Sequence, residues 1–448
     1  MVTIIKKYIG DFYIGNRFYR GAGACIALFI LAFYFPALYK PVKVVLYTFL
    51  ALVLADYVFL FFMGKRPVAD RQLTDRFSNG DENPVKLFVQ NKNNFGVHIT
   101  LIDELPFQFQ KRDFKIDAFF APGQSHWINY AVRPVTRGEY EFGNINLFMR
   151  SMLGLVEQRT RIPAHAKVKV YPSFVHLGNY QLLAATHVVT ETGNKRLNKI
   201  GQSMEFEQIK DYVTGDDIRT INWKATARKG GLMVNKYVDE KSQQLYCIID
   251  KGRLMKMPFA ELSLLDYAIN SVLALSQVSI KKQDKIGLMS FSNQMGTMLA
   301  ADRKPIQREN IMLALYNEKT SFKEPDFELL YTRVRHKIKQ RSLLILYTNF
   351  ESVSGLHRQL PYLRSIARHH LLLVVIFENT ELKKLSQASA SNIDDVYVKA
   401  IAEKLVFEKK LIVKELQKYG INTLLSAPEK VTVNAINKYL EIKARQIL

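Results

Sequence analysis

Asp216 and Asp217 stand side by side in this chain, and cations follow them closely. Within Glu205–Arg228, Thr214-Gly215-Asp216-Asp217 has the composition of a turn, after which Arg219, Asn222, Lys224 and Arg228 interleave with Ile218, Ile221 and Trp223. Neighbouring carboxylates can exchange a proton in acid–base catalysis, or hold guanidinium groups in charge-assisted pairs. Catalysis needs a further group within reach, and no histidine or serine is arranged to join this pair. The segment therefore reads as a buried salt-bridge network or as a surface that recognises a charged partner, and both remain open. Ile218, Ile221 and Ala225 recur at helical spacing, which predicts a short helix capped by an aspartate and ended by Gly230-Gly231, with a strand starting at Leu232.

A second set of chemically suggestive residues follows two apolar runs. Asp250-Lys251-Gly252-Arg253 comes after Leu245–Ile249, and Thr348-Asn349 after Leu343–Tyr347. A hard divalent cation wants a near-octahedral shell of oxygens, and one carboxylate flanked by Lys251 and Arg253 is a poor start. No metal is expected. The two cations are left to receive an acidic side chain from a partner, or to sit solvated in a loop. The run Arg333–Arg341 could touch lipid headgroups or nucleic acid, but reads better as one solvated helix face. Neither a Gly-x-x-x-x-Gly-Lys-Ser/Thr loop nor a Gly-x-Gly-x-x-Gly fingerprint occurs, so no nucleotide cofactor is expected. His98, His126 and His165 lack ligand spacing, and Cys25 and Cys247 are too few for a disulfide framework or zinc cluster.

The elements that must carry these residues begin with two apolar runs. The chain has 448 residues, enough for about three units, and is 48% hydrophobic, which excludes overall disorder. Gly21–Tyr39 is free of charge, and Val44–Met63 contains only Asp56; each is long enough to cross a hydrocarbon core of roughly 30 Å. With Lys40-Pro41-Val42-Lys43 as the turn, residues 20–65 predict a transmembrane hairpin. Lys6, Lys7, Arg17 and Arg20 before it, and Lys65, Arg66, Arg71 and Arg76 after it, place both ends and the large remainder in the cytoplasm. Asp56 then contacts another membrane subunit, or is satisfied by a hydroxyl or water near the interface. The formal charge of +22 calls for an anionic neighbour, the lipid bilayer included, but it is dispersed, and no nucleic acid is expected as partner.

Beyond Arg66 the periodicity changes. Val85–Val89, Val97–Leu101, Ser125–Val132, Glu139–Phe142 and Ala166–Tyr171 read as short strands of an antiparallel sandwich. From Gln244 buried strands at Leu245–Asp250, Lys285–Phe291, Leu343–Thr348, Leu371–Phe377 and Ile421–Leu425 alternate with helices at Phe259–Val278, Ile393–Tyr419 and Val431–Arg445. That pattern predicts a doubly wound, mostly parallel sheet. The expected division is a membrane anchor over 1–66, a β-sandwich-like domain over 67–172, the Asp-Asp segment over 173–240 and an α/β domain over 241–448.

Tyr212, Gly215, Asp216, Asp217, Arg219, Ile221, Asn222, Trp223, Lys224, Ala227 and Arg228 closely resemble the signature of the domain-of-unknown-function-58 family, with Lys210 where that family commonly has arginine. The resemblance extends upstream through Arg137–Gly143 and Leu153-Gly-Leu155, and downstream to the end. It implies a multi-pass anchor in a bacterial inner membrane and a C-terminal domain resembling von Willebrand factor A. Members of that fold often hold a divalent ion through Asp-x-Ser-x-Ser plus a threonine and an aspartate from later loops. Here Gly252 and Leu254 replace the serines and Asn349 stands where an aspartate would, so the metal site is degenerate. The resemblance implies a non-enzymatic scaffold working with a MoxR-type AAA+ ATPase in complex assembly or maturation. The alternatives are an enzyme using Asp216 and Asp217, or a nucleic-acid binder using Arg333–Arg341.

Overall fold

The computed structural model describes residues 10–111, 113–173, 204–214, 216, 218–239, 243–389 and 392–445. They fall into two compact units, Met1–Tyr171 and Pro172–Leu448.

In the first unit, strand β1 (Phe12–Ile14) leads through Gly15 into helix α1 (Asn16–Tyr34), followed by α2 (Tyr39–Val58) and a wide π turn at Phe59–Met63. Asn16–Tyr34, with 19 residues, and Pro36–Met63, with 28, are long and apolar enough to cross a membrane. Ile26, Phe33, Tyr34 and Leu54 on them are exposed within the unit. The turn between the helices lies at Pro36-Ala37-Leu38, four residues before the Lys40–Lys43 stretch that the sequence favours. Pro36 ends α1 because its nitrogen carries no hydrogen to continue the ladder. Pro41 fits inside the first turn of α2, where an amide hydrogen has no intrahelical acceptor.

Three sheets complete this unit. One runs β1, β10 (Val156–Ile162), β9 (Ile145–Arg150), β5 (Val97–Asp103) and β6 (Ile116–Phe120), all antiparallel. A second joins β2 (Val68–Gln72), β4 (Asn83–Gln90) and β7 (Ser125–Val132); a third joins β3 (Arg76–Ser78), β11 (Ala166–Tyr171) and β8 (Gly138–Phe142). Val85, Leu87 and Val89 of β4 alternate inward, as do Val97, Ile99 and Leu101 of β5. Leu87, Val89, Val97, Ile99 and Leu101 share a core with Ile145, Leu147 and Met149 and with Leu60 and Phe61 from the π turn, whereas Val85 packs in a second core with Phe77, Tyr140 and Phe142. Pairing of Phe12–Ile14 with β10 makes the segment ahead of the helices part of the β-sheet.

Asp56 is buried where α2 meets the β9–β10 connection. Its carboxylate accepts from Ser151 Oγ at 2.5 Å and from the amides of Leu155 and Val156 at 2.9 and 3.0 Å. Of the partners expected for Asp56, a hydroxyl is the one present here, that of Ser151. Arg17 of α1 donates to the carbonyls of Met152 and Leu153, and the Gly15 amide to that of Leu155. Leu153-Gly154-Leu155 is thus gripped from both helices. Gly154 has φ +65°, and a Cβ on Gly15 would lie 2.5 Å from the Gly154 oxygen, so both positions need glycine.

In the second unit, β12 (Met204–Asp211) pairs antiparallel with β13 (Met233–Asp239) around the short helix α3 (Trp223–Lys229). A six-stranded sheet follows, in the order β16 (Met295–Asp302), β15 (Lys285–Phe291), β14 (Gln244–Asp250), β17 (Leu343–Thr348), β18 (Leu371–Phe377) and β19 (Asn422–Ser426). All neighbours are parallel except β16, an antiparallel edge strand that the sequence reading did not contain. Helices α4 (Leu264–Lys281), α5 (Ile306–Tyr316) and α10 (Val431–Ala444) build one core with the sheet. On the other face lie α6 (Phe327–Lys337), α7 (Val353–His369) and α9 (Ile393–Lys418), with α8 (Thr380–Gln387) preceding α9. Helix α4 starts at Leu264 rather than Phe259. Phe259 pairs with Leu262 in a tiny hairpin, and Ser263 and Asp266 form a reciprocal capping box.

Candidate functional site

In an open α/β sheet, ligands sit beyond the carboxyl ends of the strands where the winding changes direction. Here that point lies between β14 and β17, since the chain leaves β14 towards β15 on one side and β17 towards β18 on the other. The sheet brings Asp250 and Thr348 together there: Thr348 Oγ1 donates to one carboxylate oxygen at 2.6 Å, and the Gly252 amide to the other at 2.7 Å. Asp250 is 1% exposed, and burial pushes its carboxyl up to about 6 despite both hydrogen bonds.

The flanking cations are used within the unit. Lys251 Nζ lies 2.8 Å from the Glu318 carboxylate, which also accepts from Ser290 Oγ at 2.6 Å. Burial alone would raise the Glu318 carboxyl, yet the Lys251 and Ser290 bonds hold it below its usual value. A Cβ on Gly296 would come within 2.2 Å of Ser290 Oγ and 2.6 Å of Lys251 Nζ, so a glycine makes room for this pair. Lys251 therefore neither awaits a carboxylate from another protein nor stands in solvent; its counter-charge is Glu318. Arg253 differs, being half exposed with only long pairs to Glu324 at 3.6 Å and Glu351 at 3.8 Å. Asn349 accepts from Lys409 Nζ at 2.5 Å, and the Phe350 carbonyl accepts from the same ammonium. Burial draws Lys409 down to about 8. Among the described residues, no three His, Cys, Asp or Glu side chains gather as a metal cluster.

The Asp216 segment has the opposite character. Gly215 and Asp217 lie outside the described residues. Asp216 pairs with Lys210 at 2.8 Å and accepts from the Val213 amide at 3.0 Å, and the two hold its carboxyl below the usual range. A one-turn helix at Ile218–Thr220 and a bridge from Ile221 to Val234 lead to α3. Its cap is Asn222, not an aspartate: the Asn222 side chain accepts from the Ala225 amide at 3.0 Å and donates to Asn235 at 2.8 Å. The single helix expected from Ile218 is instead a one-turn helix at Ile218–Thr220 followed by α3, which starts five residues later. Gly230, at φ +71°, closes the helix. Trp223 and Ile218 are each 69% exposed, Val213 is 62% exposed, and Arg219, Lys224 and Arg228 are also exposed. The segment is thus not a network folded into a core; it presents apolar and cationic groups outward.

In Arg333–Arg341, Val334 and Ile338 turn into the core while Arg333, Arg335, Lys337, Lys339 and Arg341 face outward. Cations in the last turn of α6 and just after it favour the negative end of that helix. Only Arg333–Lys337 lies on the helix, so the expected single helix face holds for that part, while Lys339 and Arg341 are exposed beyond its end. The sequence reading missed Glu318, Ser290 and Lys409, which reach the sheet crest from distant stretches and share no short motif with Asp250.

The architecture defines a chain of at least two units, one carrying two helices of membrane-crossing length and the other an α/β sheet with several helices. Residues 208–398 match the family model described as "Protein of unknown function DUF58". A relative in Bacillus subtilis (strain 168), "Uncharacterized protein YeaD", is 24% identical over 128 residues, which are 29% of this chain and 32% of that protein. The match thus spans about a third of the relative's length. Among solved structures, the hypothetical protein BatB from Bacteroides thetaiotaomicron is 10% identical, at a TM-score of 0.30 over 46% of this chain and 100% of that one. The CARDB domain of PF1109 from Pyrococcus furiosus is 14% identical, at a TM-score of 0.19 over 24% of this chain and 96% of that one. At such TM-scores these two likenesses carry no argument about fold or function.

Proposed function

We propose that this chain is a membrane-anchored, non-enzymatic interaction protein that presents a von Willebrand factor A-like module to cytoplasmic protein partners. The exposure of Trp223 and Ile218 within the signature segment carries this reading, because large apolar side chains held out beside cations suit recognition. The pairing of Asp216 with Lys210 supports it further, since a carboxylate locked in an ion pair is ill placed to trade protons. The meeting of Asp250 with Thr348 agrees with the A-domain resemblance, which calls for an aspartate after the first strand and a threonine from a later loop. The two apolar helices and the basic residues at both ends favour a multi-pass protein of the bacterial inner membrane with its bulk in the cytoplasm. The family resemblance adds a MoxR-type AAA+ ATPase as partner, in complex assembly or maturation.

The test is affinity capture of the full chain from native membranes in mild detergent, with bound proteins identified by mass spectrometry. Wild type should retain an AAA+ ATPase, and Trp223→Ala should lose it while keeping the same unfolding midpoint. Arg253→Glu tests the sheet crest separately, since the ion pairs of Arg253 among the described residues are long, at 3.6 and 3.8 Å. An absence of any ATPase from the wild-type capture would end the partner assignment.

A further inference from the structure

A further basic site lies in the first unit. A cleft of about 250 Å³ opens beside the first turns of α1, with Asn16, Arg17, Arg20, His98, Arg150 and Ser151 in its walls. No carboxylate lines it. Arg17 is held in place by the carbonyls of Met152 and Leu153, at 2.6 and 3.0 Å, so its position is fixed without an acid cancelling its charge. Among the described residues the counter-charges of Arg150 are distant, Asp117 at 3.9 Å and Glu157 at 4.0 Å. Burial lowers the His98 pKa, and the charges of Arg150 and Arg17 lower it further against the opposing carboxylate of Asp117. Helix α1 adds its positive end, with neither an acidic residue in its first turn nor a side-chain cap.

We propose that this cleft binds the phosphate of an anionic phospholipid headgroup. Guanidinium groups match phosphate oxygens in bidentate fashion, and three of them line this cleft with the Asn16 side-chain amide as a further polar contact. The depth fits as well. Asn16 is the first residue of a helix long enough to cross a membrane, so its entry lies at the level of headgroups. This placement rests on the membrane reading of α1 and α2. The same lipid phosphate would bear on the joint with the β-unit, since Arg17 and Ser151 of the cleft also hold the Leu153–Leu155 loop and Asp56.

The experiment uses full-length protein, delipidated in detergent and titrated with phosphatidylglycerol or phosphatidylcholine, with bound lipid counted by native mass spectrometry. Wild type should prefer phosphatidylglycerol, and Arg20→Gln/Arg150→Gln should reduce that preference on the order of tenfold. Arg17 is left intact because it also secures the loop. Equal retention of the two lipids by wild type, or an unchanged preference in the variant, overturns the site. Displacement of phosphatidylglycerol by millimolar inorganic phosphate would reassign the cleft to a soluble anion and overturn the lipid proposal. Alkaline extraction of native membranes separates the two levels: release of the protein removes the membrane reading and this proposal together, whereas retention without lipid preference removes the site alone.

Discussion

The sheet crest around Asp250 and the segment around Trp223 both carry residues of a kind associated with function, yet they resolve in opposite ways. At the crest the buried charges are answered from within the same unit, the half-exposed Arg253 aside: Asp250 by Thr348 and Gly252, Lys251 by Glu318, Lys409 by Asn349 and the Phe350 carbonyl. Around Trp223, polar groups near the backbone are tied down by Asn222, Thr226 and Lys210, while Trp223 and Ile218 face outward. Burying a charge is costly unless it is paired, so a site that has paired its charges internally has little left for a ligand. An exposed indole costs little to hold out, yet gives a partner much apolar surface to cover. Internal pairing and outward exposure thus separate a closed crest from an open segment, although the residue types overlap.

The sharpest way to break that comparison is to remove one member of the crest pair. Glu318→Ala strands the Lys251 ammonium in a site where the lysine side chain is only 15% exposed. Leaving a buried charge unanswered costs about 3–5 kcal/mol, read as a fall in the unfolding midpoint of the purified chain. Lys251→Met with Glu318→Leu should recover most of that loss. A single-variant cost near zero would mean that water already serves the pair, and the crest would then count as open.

Asp250 gives the next effect in size, and its sign depends on pH. Its folded carboxyl titrates near 6, against an ordinary value near 4, so the folded state binds the proton more tightly than the unfolded chain does. That contribution is complete below pH 4 and disappears as pH rises through 6. A shift of this size is worth about 3 kcal/mol. Asp250→Asn keeps an acceptor for the Gly252 amide and a polar partner for Thr348 while having no charge to bury. Relative to wild type, it should gain stability between pH 4 and 7, measured by urea unfolding at both ends. Parallel pH profiles for the two proteins would show that Asp250 is not buried uncharged.

The crest was half legible in the sequence. The strands ending at Asp250 and Thr348 are continuous apolar runs, readable because a strand buried on both faces needs no alternation. Glu318 and Lys409 were not, because their contacts depend on how α5, which Glu318 follows, and α9, which carries Lys409, pack on opposite faces of the sheet, and no local pattern encodes it. Strand β16 was missed for a related reason: Met295–Asp302 is an edge strand of intermediate burial without clear period-two alternation. Asp56 was singled out as the one charge in an apolar run, but its partner Ser151 lies 95 residues away. The aspartate cap assigned to α3 failed on phase, since Asn222 occupies the position just before Trp223.

The two remaining predictions concern the open surface. Asn222→Ala removes the cap of α3 and its bond to Asn235, which should weaken the helix by about 1 kcal/mol. The change is read as faster amide exchange over residues 223–229, with little effect on unfolding of the sheet. Trp223→Ala should do less still to stability, within about 0.5 kcal/mol, because the side chain is 69% exposed. Its effect belongs to binding. Capture of the partner should fail in Trp223→Ala and survive in Asn222→Ala at reduced strength, since the second variant loosens the platform but keeps the indole. If instead Trp223→Ala lowers the unfolding midpoint by several degrees, the indole packs on something in its own chain, and the contrast between a closed crest and an open segment fails at that residue.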